Sequence, residues 1–378
     1  MNLPIYLDYN ATTPIDPSVL EVMLPYLKER FGNPSSVHSA GNIAHQALNL
    51  ARNQTSQLLG CDPAEIVFTS GGSESNNLAL KGIAQAAKSS RDHILVSAIE
   101  HPSVLEVVAH LSSLGYRVDK IPVTTQGWVD PEAVKRLISE KTLLISVMHA
   151  NNEVGTIQPV REIAQIAHEY GALVHSDAAQ TAGKIALKVK DLNVDLLTLA
   201  GHKMYAPKGV GALFVKEGIN IFPQIHGASQ ENGMRAGTEN VASIAAFGKA
   251  CELIQQNSSD YASTMRAARD ILLDEFQSHS RRHLTILGNI EQGLPNTLSL
   301  CFEGIGSTDL MAGVKGVAMS PGAACHARDQ AVSHVLTAMG HGFVIAHGAM
   351  RLSTGRYSTP EEMHTAADMI LECVNRGR

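Results

Sequence analysis

Six short runs rich in apolar and β-branched residues, separated by helix-like stretches, dominate the middle of this chain and leave it few architectures. The runs lie at 65–70, 93–98, 143–148, 172–176, 195–200 and 211–215. Between them, 74–88, 102–114 and 159–170 carry helical patterns, with Pro102 at a first-turn position. Strands that are apolar throughout need cover on both faces, and parallel neighbours need a long crossover, usually a helix. The pattern predicts an α/β fold built on a mainly parallel sheet covered on both faces.

From about residue 261 the texture changes. A long helical stretch at 261–279 leads into T-L-S-L-C-F, then a loop around Cys325, a short strand at 350–353 and a closing helix from Pro360. This predicts a smaller α+β unit, with the N-terminal segment packed beside it. A chain of 378 residues is long enough for one large and one smaller domain. With 44% hydrophobic and 17% charged residues it reads as globular rather than disordered. A formal charge of -6 argues against a general nucleic-acid binder. No apolar run approaches the length of a membrane span, and M-N-L-P-I-Y-L-D lacks the basic and apolar regions of a secretory signal. The cysteines Cys61, Cys251, Cys301, Cys325 and Cys373 are odd in number and form no C-x-x-C pair, so no zinc framework is expected. A cytoplasmic, reducing location is the expectation.

In open α/β sheets ligands bind beyond the carboxyl ends of the strands, and three stretches there carry chemistry. S-G-G-S-E-S-N-N (70–77) joins a strand to a helix. It is either an anion cradle at a helix N-terminus or a plain turn with Ser73 as cap. It lacks the Gly-Lys-Ser/Thr ending of a P-loop. Asp177 in L-V-H-S-D-A-A-Q could cap the next turn, or pair with a cationic ring nitrogen. Lys203 in A-G-H-K-M-Y-A-P-K-G could be a solvated lysine, or a Schiff-base residue. Together, in this order, the three are far more specific than any one alone.

Over essentially its whole length the chain resembles the cysteine desulfurase / selenocysteine lyase family of class V, fold-type I pyridoxal-phosphate enzymes. The motifs that carry the resemblance are Y-L-D-Y-N-A-T-T-P, N-P-S-S-V-H, S-G-G-S-E-S-N-N, E-H-P-S-V, A-N-N-E-V-G-T-I-Q-P, H-S-D-A-A-Q, G-H-K-M-Y-A-P-K-G, R-A-G-T-E-N, the S-P-G-A-A-C-H-A-R-D loop and R-L-S-T-G-R. The resemblance implies a fold-type I enzyme: a large domain (13–257) with a mainly parallel seven-stranded sheet, and a smaller α+β domain (1–12 and 258–378) carrying the Cys325 loop.

The activity implied is conversion of L-cysteine to L-alanine, with sulfur passed to a Cys325 persulfide and then to a protein acceptor. Iron–sulfur cluster assembly, tRNA thiolation, DNA modification and selenium supply are all compatible destinations. A selenocysteine lyase is the nearest alternative, since G-A-A-C-H resembles its wording; a class V aminotransferase or a non-enzymatic sulfur carrier stands further off. By the same resemblance Lys203 carries pyridoxal 5′-phosphate as a Schiff base and moves protons. His101 stacks on the ring and takes part in proton transfer, its bland alternative being a helix-start histidine bonded to backbone. Asp177 pairs with the ring nitrogen, while Gln180 and Asn152 lie near the phenolic oxygen and ring edge. Gly72, Ser73 and His202 hold the phosphate. Thr238 reaches the phosphate of a neighbouring subunit, which implies a homodimer. Arg351 clamps the substrate carboxylate with its two-donor fork. His326 and Arg328 would favour the Cys325 thiolate, and the other four cysteines are expected to be packing residues. Ala200 stands where many desulfurases carry a phosphate-binding serine.

Overall fold

The structure, a computed structural model, describes residues 4–87, 91–322 and 332–376. The chain opens with strand β1 (Ile5–Tyr6) and helices α1 (Pro17–Lys28) and α2 (Ser39–Leu59). The alternating region follows as β2 (Ile66–Thr69), α3 (Gly72–Ala86), β3 (His93–Ser97), α4 (Pro102–Ser113), β4 (Arg117–Ile121), α5 (Pro131–Leu137) and β5 (Thr142–Ser146). It continues through α6 (Val160–Glu169), β6 (Leu173–Asp177), α7 (Val189–Leu192), β7 (Leu196–Ala200) and β8 (Gly211–Val215).

These strands form one seven-stranded sheet in the order β2-β8-β7-β6-β5-β3-β4, parallel except for β8, which runs antiparallel to both its neighbours. Alternate side chains of each strand enter opposite cores, as the period of two requires. Val67, Ile94, Val96 and Leu144 pack under α3 and α4 with Leu78, Ile83, Val104 and Val108. Ile66, Phe68, Leu95 and Ile145 face the other way, against Leu48 of α2, Val134 of α5 and Ile163 of α6. Phe247 completes that second face.

Phe247 belongs to α8 (Val241–His279), which starts well before the helix expected from residue 261 and is broken by non-helical backbone at Asn257. Beyond it come β9 (Leu284–Ile286), β10 (Thr297–Phe302), α9 (Ser307–Gly313), β11 (Val317–Ala318) and β12 (Ser320–Pro321). Then follow α10 (His334–Ala338), α11 (Phe343–Gly348), β13 (Ala349–Ser353) and α12 (Pro360–Arg376). An antiparallel sheet, β12-β13-β10-β9, is packed by Leu272 and Phe276 of α8 and by Met363 and Ile370 of α12. Leu7 is fully buried in this same core, and β1 pairs with β11, so the N-terminal residues pack with the C-terminal part of the chain.

Gly211 shows how tightly the sheet supports the turn after β2. It sits opposite Thr69 and Ala200, and a side chain there would meet the Leu199 carbonyl oxygen at 2.6 Å and Gly71 Cα at 2.7 Å. Both obstacles are backbone, so Gly211→Ala should cost about 1–3 kcal/mol by overpacking and displace the 70–73 turn. A lowered urea midpoint is the expected reading; a native midpoint would contradict this packing.

Candidate active site

The carboxyl ends of β2, β3, β5, β6 and β7 open into one cavity of about 340 Å³. Nine of the residues singled out from the sequence line it: Gly72, Ser73, His101, Asn152, Asp177, Gln180, His202, Lys203 and Arg351. Thr238 does not. It is exposed, in the segment between β8 and α8. Cys325, with His326 and Arg328, lies outside the described residues.

The turn after β2 ends at Gly71, whose φ of 147° suits glycine. Gly71 is the N-cap of α3, and no side chain caps it. The alternative in which Ser73 is the cap is therefore not what forms: Ser73 lies inside the helix. Uncapped N–H groups and the helix dipole leave the first turn of α3 ready for an anion. Gly72 is small for a reason, since a side chain there would stand 3.3 Å from Ala200 Cβ and 3.8 Å from Thr198 Cγ2. The methyl group of Ala200 thus packs beneath the turn. His202 stands beside it, with Nδ1 3.2 Å from Thr12 Oγ1. Burial and the nearby Lys203 and Lys208 push its imidazole down to about 4.

Asp177 is the last residue of β6 and is buried. Its Oδ1 accepts the Ala179 N–H at 2.9 Å, so it does cap the next turn, and Oδ2 accepts from Asn76 Nδ2 at 2.8 Å. Asn76 also donates to Ser103 Oγ at 2.8 Å, and that hydroxyl lies 2.8 Å from His101 Nδ1. His101 is the N-cap of α4: Nδ1 accepts the Ser103 N–H at 3.1 Å. The helix-start alternative for His101 is thus what forms, and the capping ring also lines the cavity. Burial lowers its pKa, with Lys203 and His334 acting the same way and Asp177 opposing.

Lys203 follows β7, and its Nζ donates to the carbonyls of Asn10 at 2.5 Å and Ala11 at 2.7 Å. Gln180 Nε2 donates to the same Asn10 carbonyl at 3.0 Å. On the opposite wall Arg351 of β13 is almost wholly buried. It donates to Asp8 Oδ1 at 2.6 Å and to the Asn152 carbonyl at 3.0 Å, while its Nε is buried without a hydrogen-bond partner among the described residues. Beside Asn152, burial raises Glu153 to about 7, and Ser333 Oγ donates to it at 2.5 Å. Glu100, which precedes His101, is pushed well up by complete burial, and accepts the Met148 N–H at 2.6 Å.

Sequence reasoning passed over Asn10, Asn76, Ser103 and the buried Lys184. Asn10 sits within Y-L-D-Y-N-A-T-T-P and Asn76 within S-G-G-S-E-S-N-N, so position in those motifs was the available signal. Lys184 carried none, because its burial is visible only in three dimensions. The remaining cysteines read as expected for Cys61 and Cys251, where burial pushes the thiol up to about 12, and for Cys301, which burial also raises. Among the described residues no cluster of His, Cys, Asp or Glu could hold a metal ion, and no helix is long and apolar enough to cross a membrane.

The strand ends of this α/β sheet thus present a lysine, a carboxylate, an imidazole and an uncapped helix N-terminus to one cavity. The chain belongs to the aminotransferase class-V family, which it matches over residues 5–365. It is 43% identical to the cysteine desulfurase IscS of Methanosarcina thermophila over 379 residues, covering 100% of this chain and 93% of that one. It is 41% identical to the cysteine desulfurase IscS of Dictyoglomus turgidum over 380 residues, covering 100% and 96%. Among solved structures a NifS-like protein superposes with a TM-score of 0.92 at 38% identity, over 99% of this chain and 100% of that one. The fold is that of fold-type I enzymes.

His149, behind Asp177, offers a pH test of this packing. Its backbone N–H donates to the Asp177 carbonyl at 2.9 Å, and burial alone lowers its imidazole to about 4 from 6.5. Above pH 6.5 the ring is neutral in folded and unfolded chains alike. On acidification the unfolded chain takes up the proton first, so stability is lost between pH 6.5 and about 4. The melting temperature of His149→Gln should therefore fall less steeply than the native value across that window; parallel curves would contradict the assignment.

Proposed function

We propose that this chain is a pyridoxal 5′-phosphate-dependent cysteine desulfurase, converting L-cysteine to L-alanine and passing the sulfur through a Cys325 persulfide to an acceptor. The observation that carries this reading is the convergence of Lys203, Asp177, His101, Arg351 and the uncapped start of α3 on one cavity. The donor set fits the cofactor: a primary amine for its carbonyl carbon, a buried carboxylate for its ring nitrogen, and N–H groups at a helix N-terminus for its phosphate. When bound, pyridoxal phosphate supplies an electron sink for the substrate α-carbon.

Each protein group then has a task set by its chemistry. Lys203 holds the cofactor and moves protons at the substrate carbon. Asp177, kept in place by Asn76 and the Ala179 N–H, holds the ring nitrogen in its protonated form. His101 packs against the ring, with Gln180 and Asn152 toward its phenolic oxygen and edge. Gly72, Ser73 and His202 take the phosphate, joined by Thr238 from a second subunit. That Thr238 is exposed and does not line the cavity of its own chain supports a homodimer. Arg351, which lines the cavity, takes the substrate carboxylate.

The Cys325 thiolate attacks the substrate sulfur. A sulfur–sulfur bond forms as the carbon–sulfur bond breaks, the carbon keeps that electron pair, and a proton later completes alanine. Described residues before and after Cys325 in the sequence contact residues in or next to the cavity lining. Ser320 pairs with Arg351 itself, and Ser333 is bound to Glu153, next to Asn152. The same reading divides the chain into 13–257 and 1–12 with 258–378, a division supported by the break in α8 at Asn257. Four free cysteines among the described residues suit a reducing, cytoplasmic setting.

The desulfurase names of the relatives favour sulfur over selenium. Initial rates with L-cysteine and L-selenocysteine, measured side by side with a reductant to release the bound sulfur, should show robust alanine formation from cysteine. Activity on selenocysteine alone would overturn the substrate assignment. Lys203→Ala should lose turnover by at least ~10³-fold together with the visible cofactor band, and a normal rate would exclude the cofactor reading. Cys325→Ala should keep that band but form no persulfide detectable by mass spectrometry; persulfide on another cysteine would move the nucleophile.

A further inference from the structure

Lys184 is 4% exposed, lies seven residues past the end of β6, and has no task in the chemistry above. Burying a lysine costs stability unless its donors are used. Its Nζ donates to Asn10 Oδ1 at 2.6 Å and to Gln180 Oε1 at 2.8 Å. Both acceptors belong to cavity-lining residues. A side-chain amide has two chemically opposite ends, and rotation by half a turn exchanges a donor for an acceptor. A lysine offers donors, so its contact with each oxygen decides which end of each amide faces the other way.

We infer that Lys184 is a positioning residue of the cavity, a buried amine that fixes the orientation of the Gln180 and Asn10 amides. With Oε1 on Lys184, the Gln180 NH2 spends one hydrogen on the Asn10 carbonyl and presents the other toward the cavity. With Oδ1 on Lys184 and Asn296, the Asn10 NH2 turns to Thr297 Oγ1 at 2.8 Å and the Asn152 carbonyl at 3.2 Å. This keeps the Asn10 backbone carbonyl aimed at Lys203. Burial lowers the proton affinity of Lys184, and the neighbouring cations Lys203 and Arg351 act the same way.

The inference rests on the cofactor reading for what Gln180 faces. Its test is a pH titration of the visible absorption of pyridoxal phosphate in the holoenzyme. Lys184→Met should raise the titration midpoint by about one pH unit, the scale of one lost hydrogen bond, and lower kcat more than it raises KM. Lys184→Gln, which restores one donor, should recover at least half of the shift. Gln180→Met should reproduce it, and the double variant should add little. If Lys184→Met fails to fold, Lys184→Gln and Gln180→Met still decide: a native midpoint in both overturns the inference. A lower melting temperature with native midpoint and kinetics in Lys184→Met assigns a merely structural role and overturns it as well. A native protein that takes up no pyridoxal phosphate instead overturns the cofactor reading, and this assignment with it; native binding separates the two failures.

Discussion

The site depends on one contact, the amine of Lys203 held on the backbone carbonyls of Asn10 and Ala11. Backbone carbonyls accept hydrogen bonds whatever side chain they carry, so the contact is decided by where the N-terminal segment runs. That route is fixed from several sides at once. Leu7 is sunk in the second core, the Asn10 N–H donates to Ser353 Oγ, and the Asn10 side chain binds Thr297. The cavity therefore forms only where the parallel sheet, the antiparallel sheet and the first residues of the chain meet. A lysine at the end of β7 would otherwise turn to water.

The electrostatic pattern follows from the same assembly. Lys203, Arg351 and the start of α3 all favour negative charge, and Asp177 is a buried carboxylate set among them. Such a cavity suits a ligand with separated anionic groups and one cationic nitrogen. Water is a poor substitute, since it cannot supply fixed charge of both signs at once.

Much of this was legible in the sequence, for identifiable reasons. Strands buried on both faces, such as I-V-F-T or L-L-T-L-A, announce themselves by apolar composition alone. β4 escaped notice because it is an edge strand, and R-V-D-K-I carries the charges that keep such an edge from pairing further. Helices α1 and α2 also went unmarked. Lys203, Asp177 and His101 stood out because they follow strands within distinctive motifs. Lys184 did not, since nothing in A-G-K distinguishes a lysine folded inward from one in solvent. Thr238 was legible as a motif yet lies apart from the cavity of its own chain, for no single-chain packing calls on it.

The cap at the start of α4 constrains proton traffic. Because His101 Nδ1 takes the Ser103 N–H, the neutral ring must carry its hydrogen on Nε2. The backbone has thereby chosen the tautomer before any substrate arrives. The ring then offers a donor at Nε2, unable to accept a proton there without first giving one up. Helix α4 would have to loosen its first turn for the imidazole to act in the opposite sense.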